Sequence, residues 1–161
     1  IGQNVNIGND VVIGNRVKIQ NNVSVYEGVE LEDYVFCGPS MVFTNVLRPR
    51  SEFPQRGSDY YIKTLIKRGV TLGANCTVLC GITVGEYAFV GAGAVVTNDV
   101  EPHALVIGNP STKIGWVDNK GEKLSFDQNN ISLCGKFELI DGKLLGYSLR
   151  KIKIKNFIQI L

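Results

Sequence analysis

Residues 1–43 read IGQNVNIGNDVVIGNRVKIQNNVSVYEGVELEDYVFCGPSMVF, and every sixth residue of this stretch is apolar or a cysteine. This first row consists of Ile1, Ile7, Ile13, Ile19, Val25, Leu31, Cys37 and Phe43. A second row, four positions later, consists of Val5, Val11, Val17, Val23, Val29, Val35 and Met41. A period of six differs from the periods of about 2 and 3.6 that mark strands and helices. It is typical of a parallel β-helix built from hexapeptides, with both rows pointing inward.

Glycine and asparagine fill many of the steps between the apolar rows. Glycine directly follows the first row at Gly2, Gly8 and Gly14, and asparagine comes one step later at Asn9, Asn15 and Asn21. Both residue types tolerate positive φ, so we expect them to form a tight turn in each hexad. An ordinary strand-rich domain with Asn-rich turns is the alternative, but the strictness of the repeat disfavours it.

The repeat stops after Asn45 and resumes at Leu72 in a new phase. The rows are then Leu72, Val78, Val84, Val90 and Val96, together with Cys76, Ile82, Ala88, Ala94 and Val100. If three hexads close one coil, the repeats make about four coils, stacked at the roughly 4.8 Å spacing of paired strands. The intervening residues 46–69 are polar and too long for a repeat turn, so we expect a loop that protrudes from the solenoid. Loops on rigid scaffolds are common places for binding sites.

Length and pattern divide the chain into a hexapeptide-repeat domain at 1–117 and a short non-repeat tail at 118–161. Within the tail, KFELIDGKLL predicts a hairpin around Asp141 and Gly142. Lys151–Lys155 alternates like an edge strand guarded by lysines, with membrane-surface binding as the alternative. Because the repeat is already in phase at Ile1, we also infer that further coils precede this numbering.

Composition argues against several classes of partner. The net charge of +2 is too weak to suggest a nucleic-acid binder, and no stretch resembles a membrane span or a signal peptide. The four cysteines lack the spacing of a disulfide framework, and no histidine lies close enough in sequence to Cys76 and Cys80 to suggest zinc. We therefore expect buried thiols at Cys37 and Cys76, no bound metal and a cytoplasmic protein.

The sequence resembles the hexapeptide-repeat N-acetyltransferases over residues 1–117. The segments that carry the resemblance are GPSMVFTN at 38–45, TLGANCTVLCGITVGEYAFVGAGAVVTNDV at 71–100, ALVIGNP at 104–110 and IGWV at 114–117. It is most similar to the UDP-2-acetamido-3-amino-2,3-dideoxy-glucuronate N-acetyltransferases of surface-polysaccharide synthesis, with the dTDP-3-amino-3,6-dideoxyhexose acetyltransferases as near relatives. The resemblance implies a left-handed coil, acetyl-CoA as co-substrate, a nucleotide-linked amino sugar as acceptor, and a homotrimer with sites between subunits.

Asn45 is the candidate catalytic residue, because it lies where the loop leaves the coil and its side chain can face a cleft. Its amide oxygen would accept a hydrogen bond from the sugar amine, and the resemblance places this asparagine beside that amine; a turn asparagine is the alternative. An amine is already a fair nucleophile, so positioning supplies much of the catalysis. Tyr26 and Glu27 interrupt the Gly-Asn pattern and are candidates for the sugar pocket.

Three arginines of the loop, Arg48, Arg50 and Arg56, suit a diphosphate or a uronic carboxylate, which guanidinium groups bind bidentately. A solvated loop is the competing interpretation of each. The candidate residues for acetyl-CoA are Gly91, Ala92, Gly93, Gly108, Pro110 and Lys113. Backbone N–H groups of the first three can stabilise an oxyanion, although close coil packing also explains the glycines. The last three resemble the segment beside CoA, and a simple solenoid terminus is the alternative.

Other functions of this fold are less compatible with the residues. O-acetylation of a hydroxyl calls for a histidine base, and His103, the only histidine, lies where the resembling family places none, so we expect a structural or surface role. A γ-type carbonic anhydrase needs three histidine ligands. A non-catalytic or ice-binding solenoid would present regular outward threonine rows, whereas this repeat carries mixed polar residues and a basic loop.

Overall fold

The chain folds as an all-β, left-handed parallel β-helix, which confirms the β-helix predicted from the six-residue period and the left hand implied by the resemblance. The structure is a computed structural model and describes residues 1–146. The lysine-rich strand predicted at Lys151–Lys155 lies outside these residues. Two compact units divide the chain, Ile1–Gly121 and Glu122–Leu161, and residues 1–117 fall within the first.

Three parallel sheets form the faces of the solenoid, with strands numbered here in chain order. Sheet A contains β1 (Asn6–Ile7), β4 (Ser24–Val25), β7 (Val42–Phe43), β10 (Thr77–Val78) and β13 (Val95–Val96). Sheet B contains β2 (Val12–Ile13), β5 (Val29–Leu31), β8 (Thr64–Ile66) and β11 (Thr83–Val84). Sheet C contains β3 (Lys18–Ile19), β6 (Phe36–Cys37), β9 (Thr71–Leu72), β12 (Phe89–Val90), β14 (Ala104–Ile107) and β15 (Thr112–Trp116). The chain visits the three sheets in turn, so three hexads close one coil.

Four coils have a strand on every face. A fifth follows with β13, the single bridge between Val84 and Val100, and β14. Partner residues on neighbouring coils are normally 18 positions apart, as Ile7 and Val25 are. This constant offset stacks equivalent side chains directly above one another.

The two apolar rows form the core. First-row side chains with at most 1 % exposure are Ile19, Val25, Leu31, Cys37, Phe43, Ile66, Leu72, Val78, Val84, Val90 and Val96. Each fully buried aliphatic side chain contributes about 1.5–3 kcal/mol relative to exposure. In the first coil, by contrast, Ile1 is 81 % exposed and Ile7 is 44 % exposed.

The turns follow a different rule from the one expected. Positive φ recurs every sixth residue, but at Asn4, Asp10, Arg16 and Asn22, so its assignment to Gly2, Gly8 and Gly14 and to Asn9, Asn15 and Asn21 is wrong. The early glycines serve close approach instead. A Cβ on Gly8 would lie 2.9 Å from the backbone nitrogen of Glu27 in the next coil, and one on Gly14 would lie 2.6 Å from that of Asp33.

The protruding loop is shorter than the predicted 46–69. Residues Thr64–Ile66 form β8, which pairs with β5 and β11, and Val70 is fully buried. The loop is therefore residues 46–62 and adds 17 residues, because partners across it, such as Phe43 and Val78, are 35 positions apart rather than 18. The apolar pattern does not reveal that the repeat resumes at Thr64. This inward position, only 1 % exposed, holds a polar residue.

Strand β15 turns back antiparallel against β14 at the end of the solenoid, and Trp116 and Val117 are buried beside it. In the second unit, β16 (Phe137–Ile140) and β17 (Lys143–Gly146) pair antiparallel, which confirms the hairpin predicted around Asp141 and Gly142. Within residues 1–146, no helix has the length and apolarity to cross a bilayer.

We predict that Gly73→Ala destabilises the first unit by about 2–3 kcal/mol through overpacking. A Cβ at this position would lie 2.5 Å from the backbone nitrogen of Ala92, and neither coil can yield without breaking its ladder. Urea unfolding followed by the fluorescence of Trp116, the only tryptophan, measures the effect. Gly146→Ala is the matched control, since a Cβ there meets nothing within 4 Å. Equal unfolding midpoints for the two variants would contradict the close-approach argument.

Candidate functional site

Asn45 lies two residues after β7, at the edge of the solenoid between sheets A and B, where the loop departs. Its backbone oxygen accepts a hydrogen bond of 2.9 Å from the N–H of Ile62, which closes the base of the loop. The side chain is half-buried, and its amide makes no hydrogen bond to any other residue within 1–146. The amide is therefore free to bind an external group.

Tyr26 and Glu27 lie one coil below Asn45 on the same edge. Ser24 pairs with Val42, an offset of 18 residues, and by the same offset Tyr26 corresponds to Thr44 and Glu27 to Asn45. Tyr26 is exposed and Glu27 is half-buried. The structure thus gathers these two candidates and Asn45 along one corner of the solenoid.

The loop forms an open cavity of about 390 Å³, and two of the three candidate arginines line it. Its lining residues are Val46, Pro49, Arg50, Ser51, Pro54, Gln55 and Arg56. Arg48 is exposed and does not line it. The guanidinium of Arg50 donates to the backbone oxygen of Pro49 at 3.3 Å. Two arginines that line one cavity without a lining carboxylate suit a diphosphate or a carboxylate ligand.

The Gly91–Gly93 segment connects β12 on sheet C to β13 on sheet A. Two of its three N–H groups are already used: that of Gly91 donates to the oxygen of Val106 and that of Gly93 to the oxygen of Ala74, each at 2.8 Å. Only the N–H of Ala92 lacks an acceptor within the described chain. Of the three N–H groups expected to be available to an oxyanion, only that of Ala92 is available within the described chain.

Gly108 and Pro110 lie in the turn between β14 and β15, and Gly108 has a φ of 93°. Lys113 of β15 is not a free cation. Its ammonium nitrogen lies 2.9 Å from Oε2 of Glu101 and 4.1 Å from the ring centroid of Trp116. An exposed pair of this kind contributes at most about 1 kcal/mol, so a phosphate can compete with the carboxylate.

Sequence reasoning missed a column of aromatic and cationic side chains at the edge between sheets B and C. The Arg68 guanidinium lies 4.5 Å from the ring centroid of Tyr34, and its Nε donates to the hydroxyl of Tyr87 at 3.4 Å. The ring of Tyr87 in turn stacks on that of His103 at 5.3 Å. Once the inserted loop is allowed for, these residues follow one another at spacings of about one coil, and this spacing in the sequence could have revealed the column.

His103 belongs to this column and not to the Asn45 edge. Its Nδ1 lies 3.0 Å from the backbone oxygen of Val117, and its φ is 62°. Burial lowers the pKa of the imidazole below its ordinary value, against the opposing effects of the Val117 carbonyl, Glu86 and Asp118. These contacts give His103 a structural role, because its ring contacts both Tyr87 and Val117 at the end of the solenoid.

The thiols fall into two environments. Cys37, Cys76 and Cys80 are buried, and burial raises the pKa of both Cys37 and Cys76 to about 12. Cys134 in the second unit is exposed, and the hydroxyl of Ser132 at 3.3 Å is the main cause of its lowered pKa. Within residues 1–146, no three metal-ligating side chains cluster.

Comparison with known proteins identifies the repeat. The family models "Bacterial transferase hexapeptide (six repeats)" and "Hexapeptide repeat of succinyl-transferase" match residues 63–98 and 1–27. The dTDP-3-amino-3,6-dideoxy-alpha-D-galactopyranose 3-N-acetyltransferase of Aneurinibacillus thermoaerophilus is 43 % identical over 82 residues, or 50 % of this chain and 43 % of that protein. The chain thus spans less than half of the length of this curated relative.

Two solved structures share the fold. The hexapeptide-repeat-containing acetyltransferase VCA0836 of Vibrio cholerae, complexed with acetyl-CoA, is 24 % identical with a TM-score of 0.59, covering 73 % of this chain and 70 % of its own. AntD of Bacillus cereus, an N-acyltransferase in complex with dTDP and 3-hydroxybutyryl-CoA, is 21 % identical with a TM-score of 0.55, covering 74 % and 84 %. Sequence identities below 25 % show a shared fold, the β-helical coil, and nothing further.

We predict that His103 makes the first unit less stable as the pH falls. Because the pKa of His103 is lowered in the folded state, the unfolded chain binds more protons at acidic pH. The stability is therefore complete above pH 6.5 and is lost as the pH falls from about 6.5 through the lower folded-state pKa. The urea midpoint reported by Trp116 should decrease more between pH 7.5 and 5.5 in the wild type than in His103→Asn, whose asparagine tolerates the positive φ. Parallel pH profiles would contradict this assignment.

We also predict that one thiol of the native protein reacts rapidly with a disulfide reagent at pH 7.5. A lowered pKa increases the thiolate fraction of exposed Cys134, whereas Cys37 and Cys76, at about 12, stay protonated and enclosed. Cys134→Ser should abolish the rapid phase, and urea should release the three remaining thiols. A rapid phase that persists in Cys134→Ser would show that a coil thiol is accessible.

Proposed function

We propose that the chain is an acetyltransferase of the hexapeptide-repeat class and transfers the acetyl group of acetyl-CoA to the amino group of a nucleotide-linked 3-amino sugar. The hexapeptide-repeat models matched at residues 1–27 and 63–98, and the similarity to a dTDP-amino-sugar N-acetyltransferase, support the proposal. The observation that carries the proposal is the unpaired amide of Asn45 at the base of a loop whose cavity gathers Arg50 and Arg56. An amide acceptor at the base of a loop that carries two arginines suits an amine on an anionic carrier.

Asn45 would orient the amine. Its Oδ1 accepts a hydrogen bond from the N–H of the sugar, which directs the nitrogen lone pair toward the thioester carbonyl. A C–N bond forms as the C–S bond breaks, and the proton lost by nitrogen ends on the departing sulfur, directly or through water. The N–H of Ala92 is the donor available to the oxygen that gains negative charge. Positioning of this kind supplies a large part of the rate without a side-chain base.

The acceptor carries either dTDP or UDP. The relative from Aneurinibacillus thermoaerophilus supports a dTDP-3-amino-3,6-dideoxyhexose, and the resemblance of the FTN segment and basic loop supports a UDP-amino-uronate for surface-polysaccharide synthesis. In both cases Arg50 and Arg56 bind the diphosphate; the uronate gives them a second anion. Tyr26 and Glu27 line the sugar pocket in this proposal, and exposed Arg48 of the same loop supplies a further cation for the diphosphate or the uronic carboxylate.

The geometry of one chain favours a site shared between subunits. Asn45 lies on the edge between sheets A and B, whereas Gly91–Gly93 connects sheet C to sheet A and Gly108–Pro110 turns back from β14. Amine and thioester must meet within bonding reach. A homotrimer that sets the A–B edge of one chain against the CoA residues of its neighbour satisfies this need, with Lys113 exchanging Glu101 for a CoA phosphate. Acetyl-CoA and nucleotide sugars fit a cytoplasmic setting.

O-acetyl transfer is the second candidate function on this fold, and it calls for a base that deprotonates a hydroxyl. His103 would be the residue to supply it, but its ring is stacked on Tyr87 at a different edge from Asn45. An amine acceptor is therefore the better match to the residues of the loop edge.

We predict that the full-length protein releases CoA thiol from acetyl-CoA with a dTDP- or UDP-linked 3-amino sugar, and that Asn45→Ala lowers kcat by about a hundredfold. Thiol release is followed with each of two acceptors, a dTDP-3-amino-3,6-dideoxyhexose and a UDP-amino-uronate. Asn6→Ala on exposed β1 is the matched control and should leave kcat unchanged. Release with a hydroxyl acceptor and with no amine would overturn the N-acetyltransferase proposal.

A further inference from the structure

Two threonine hydroxyls, one on each side of the loop, accept hydrogen bonds from two consecutive residues of the coil above. Oγ1 of Thr44 accepts a hydrogen bond of 2.9 Å from the N–H of Cys80, and Oγ1 of Thr64 accepts one of 3.3 Å from the N–H of Gly81. Thr64 also donates its backbone N–H to the oxygen of Gly28 in the coil below, at 2.9 Å. The two ends of the loop are thus fastened to one dipeptide.

The other corners of the solenoid show what Thr64 replaces. In most of those corners the N–H of the positive-φ residue donates to a backbone oxygen of the coil below, as Tyr34 does to Asn15 at 2.9 Å and Gly93 does to Ala74 at 2.8 Å; Gly28, at the corner between sheets A and B one coil below the loop, makes no such bond within the described chain. Across the insertion the same pattern holds for Asn75 and Pro39, at 3.0 Å. By this register the acceptor for Gly81 would be the backbone oxygen of Asn45.

That oxygen is taken by Ile62, whose N–H closes the loop at 2.9 Å. The Gly81 N–H turns instead to the Thr64 hydroxyl, and the neighbouring Cys80 N–H turns to Thr44. At the corner where the loop interrupts the backbone hydrogen bonds between coils, the two hydroxyls therefore serve as acceptors for N–H groups of the coil above. The backbone oxygen of Asn45 therefore remains available to the N–H of Ile62, and this hydrogen bond closes the base of the loop.

Thr64 is only 1 % exposed, so water has no access that would replace its hydroxyl. A valine of the same shape would leave the Gly81 N–H without an acceptor, and that N–H would then compete with Ile62 for the backbone oxygen of Asn45. Either outcome moves the backbone that carries the Asn45 side chain. A misplacement of about 1 Å costs on the order of a hundredfold in rate when catalysis rests on positioning.

Building on the proposed function, we propose that Thr44 and Thr64 are positioning residues for Asn45. They bind the backbone of the coil above and so fix the point at which the candidate catalytic amide leaves the solenoid. Neither hydroxyl contacts the substrates. Their contribution appears in the rate of acetyl transfer and not in the binding of acetyl-CoA, whose candidate residues lie at another edge.

The test compares Thr64→Val, Thr44→Val and their serine counterparts in the full-length protein, at a temperature below each unfolding midpoint. We expect either valine variant to lower kcat about tenfold to a hundredfold and to change the KM for acetyl-CoA less than about twofold. Thr64→Ser and Thr44→Ser keep the hydroxyl and should restore kcat to within about threefold. Thr77→Val on β10 is the matched control, because its hydroxyl makes no hydrogen bond within the described chain.

The outcomes separate this inference from the function it rests on. Unchanged kcat in both valine variants, with Asn45→Ala inactive, would overturn the positioning role and keep the acetyltransferase. Failure of serine to restore kcat, or an equal loss in Thr77→Val, would also overturn it. If Thr64→Val does not fold, the less buried Thr44→Val decides. Absence of acetyl transfer by the wild type with every amine acceptor would overturn both proposals.

Discussion

The structure depends on one constraint, the approach of each coil to the next at the distance of a backbone hydrogen bond. Strands in adjacent coils must lie roughly 4.8 Å apart, and in this solenoid that spacing is met on three faces at once. Side chains that point inward are then forced into columns, and any Cβ at the tightest corner meets the backbone above. The apolar rows and the glycines after them are two consequences of the same spacing.

The constraint also determines how the fold can carry a functional loop. An insertion inside a strand would break the ladder above and below it, whereas one at a corner leaves all three sheets continuous. The 17 added residues leave after β7 and return before β8, so that Phe43 still pairs with Val78. The cost is confined to two N–H groups of the next coil, and threonine hydroxyls on each side of the loop accept them.

A large part of this architecture could be predicted from the sequence, because a strict period is a local signal. The coil, its core and the hairpin at Asp141 follow from such signals. Three features do not. Positive φ falls on Arg16, Tyr34 and Tyr87, residue types that carry no preference for it. The end of the loop could not be predicted, because a polar residue at an inward position, here Thr64, looks in the sequence like an interruption of the repeat. The Arg68 column and the pairing of Lys113 with Glu101 depend on contacts between residues far apart in sequence.

The candidate site was predicted unevenly for the same reason. Arg50 and Arg56 could be proposed from the loop alone, and the cavity brings them together; Arg48 lies in the same loop but outside that cavity, since residue type does not determine side-chain direction. The Gly91–Gly93 donors looked equivalent in sequence, yet the ladder takes two of the three. Within residues 1–146, the side-chain amide of Asn45 has no hydrogen-bond partner at one edge, and the N–H of Ala92 has none at another. Because a stiff solenoid cannot bend to join these edges, their separation is the argument for the proposed site between two copies of the chain.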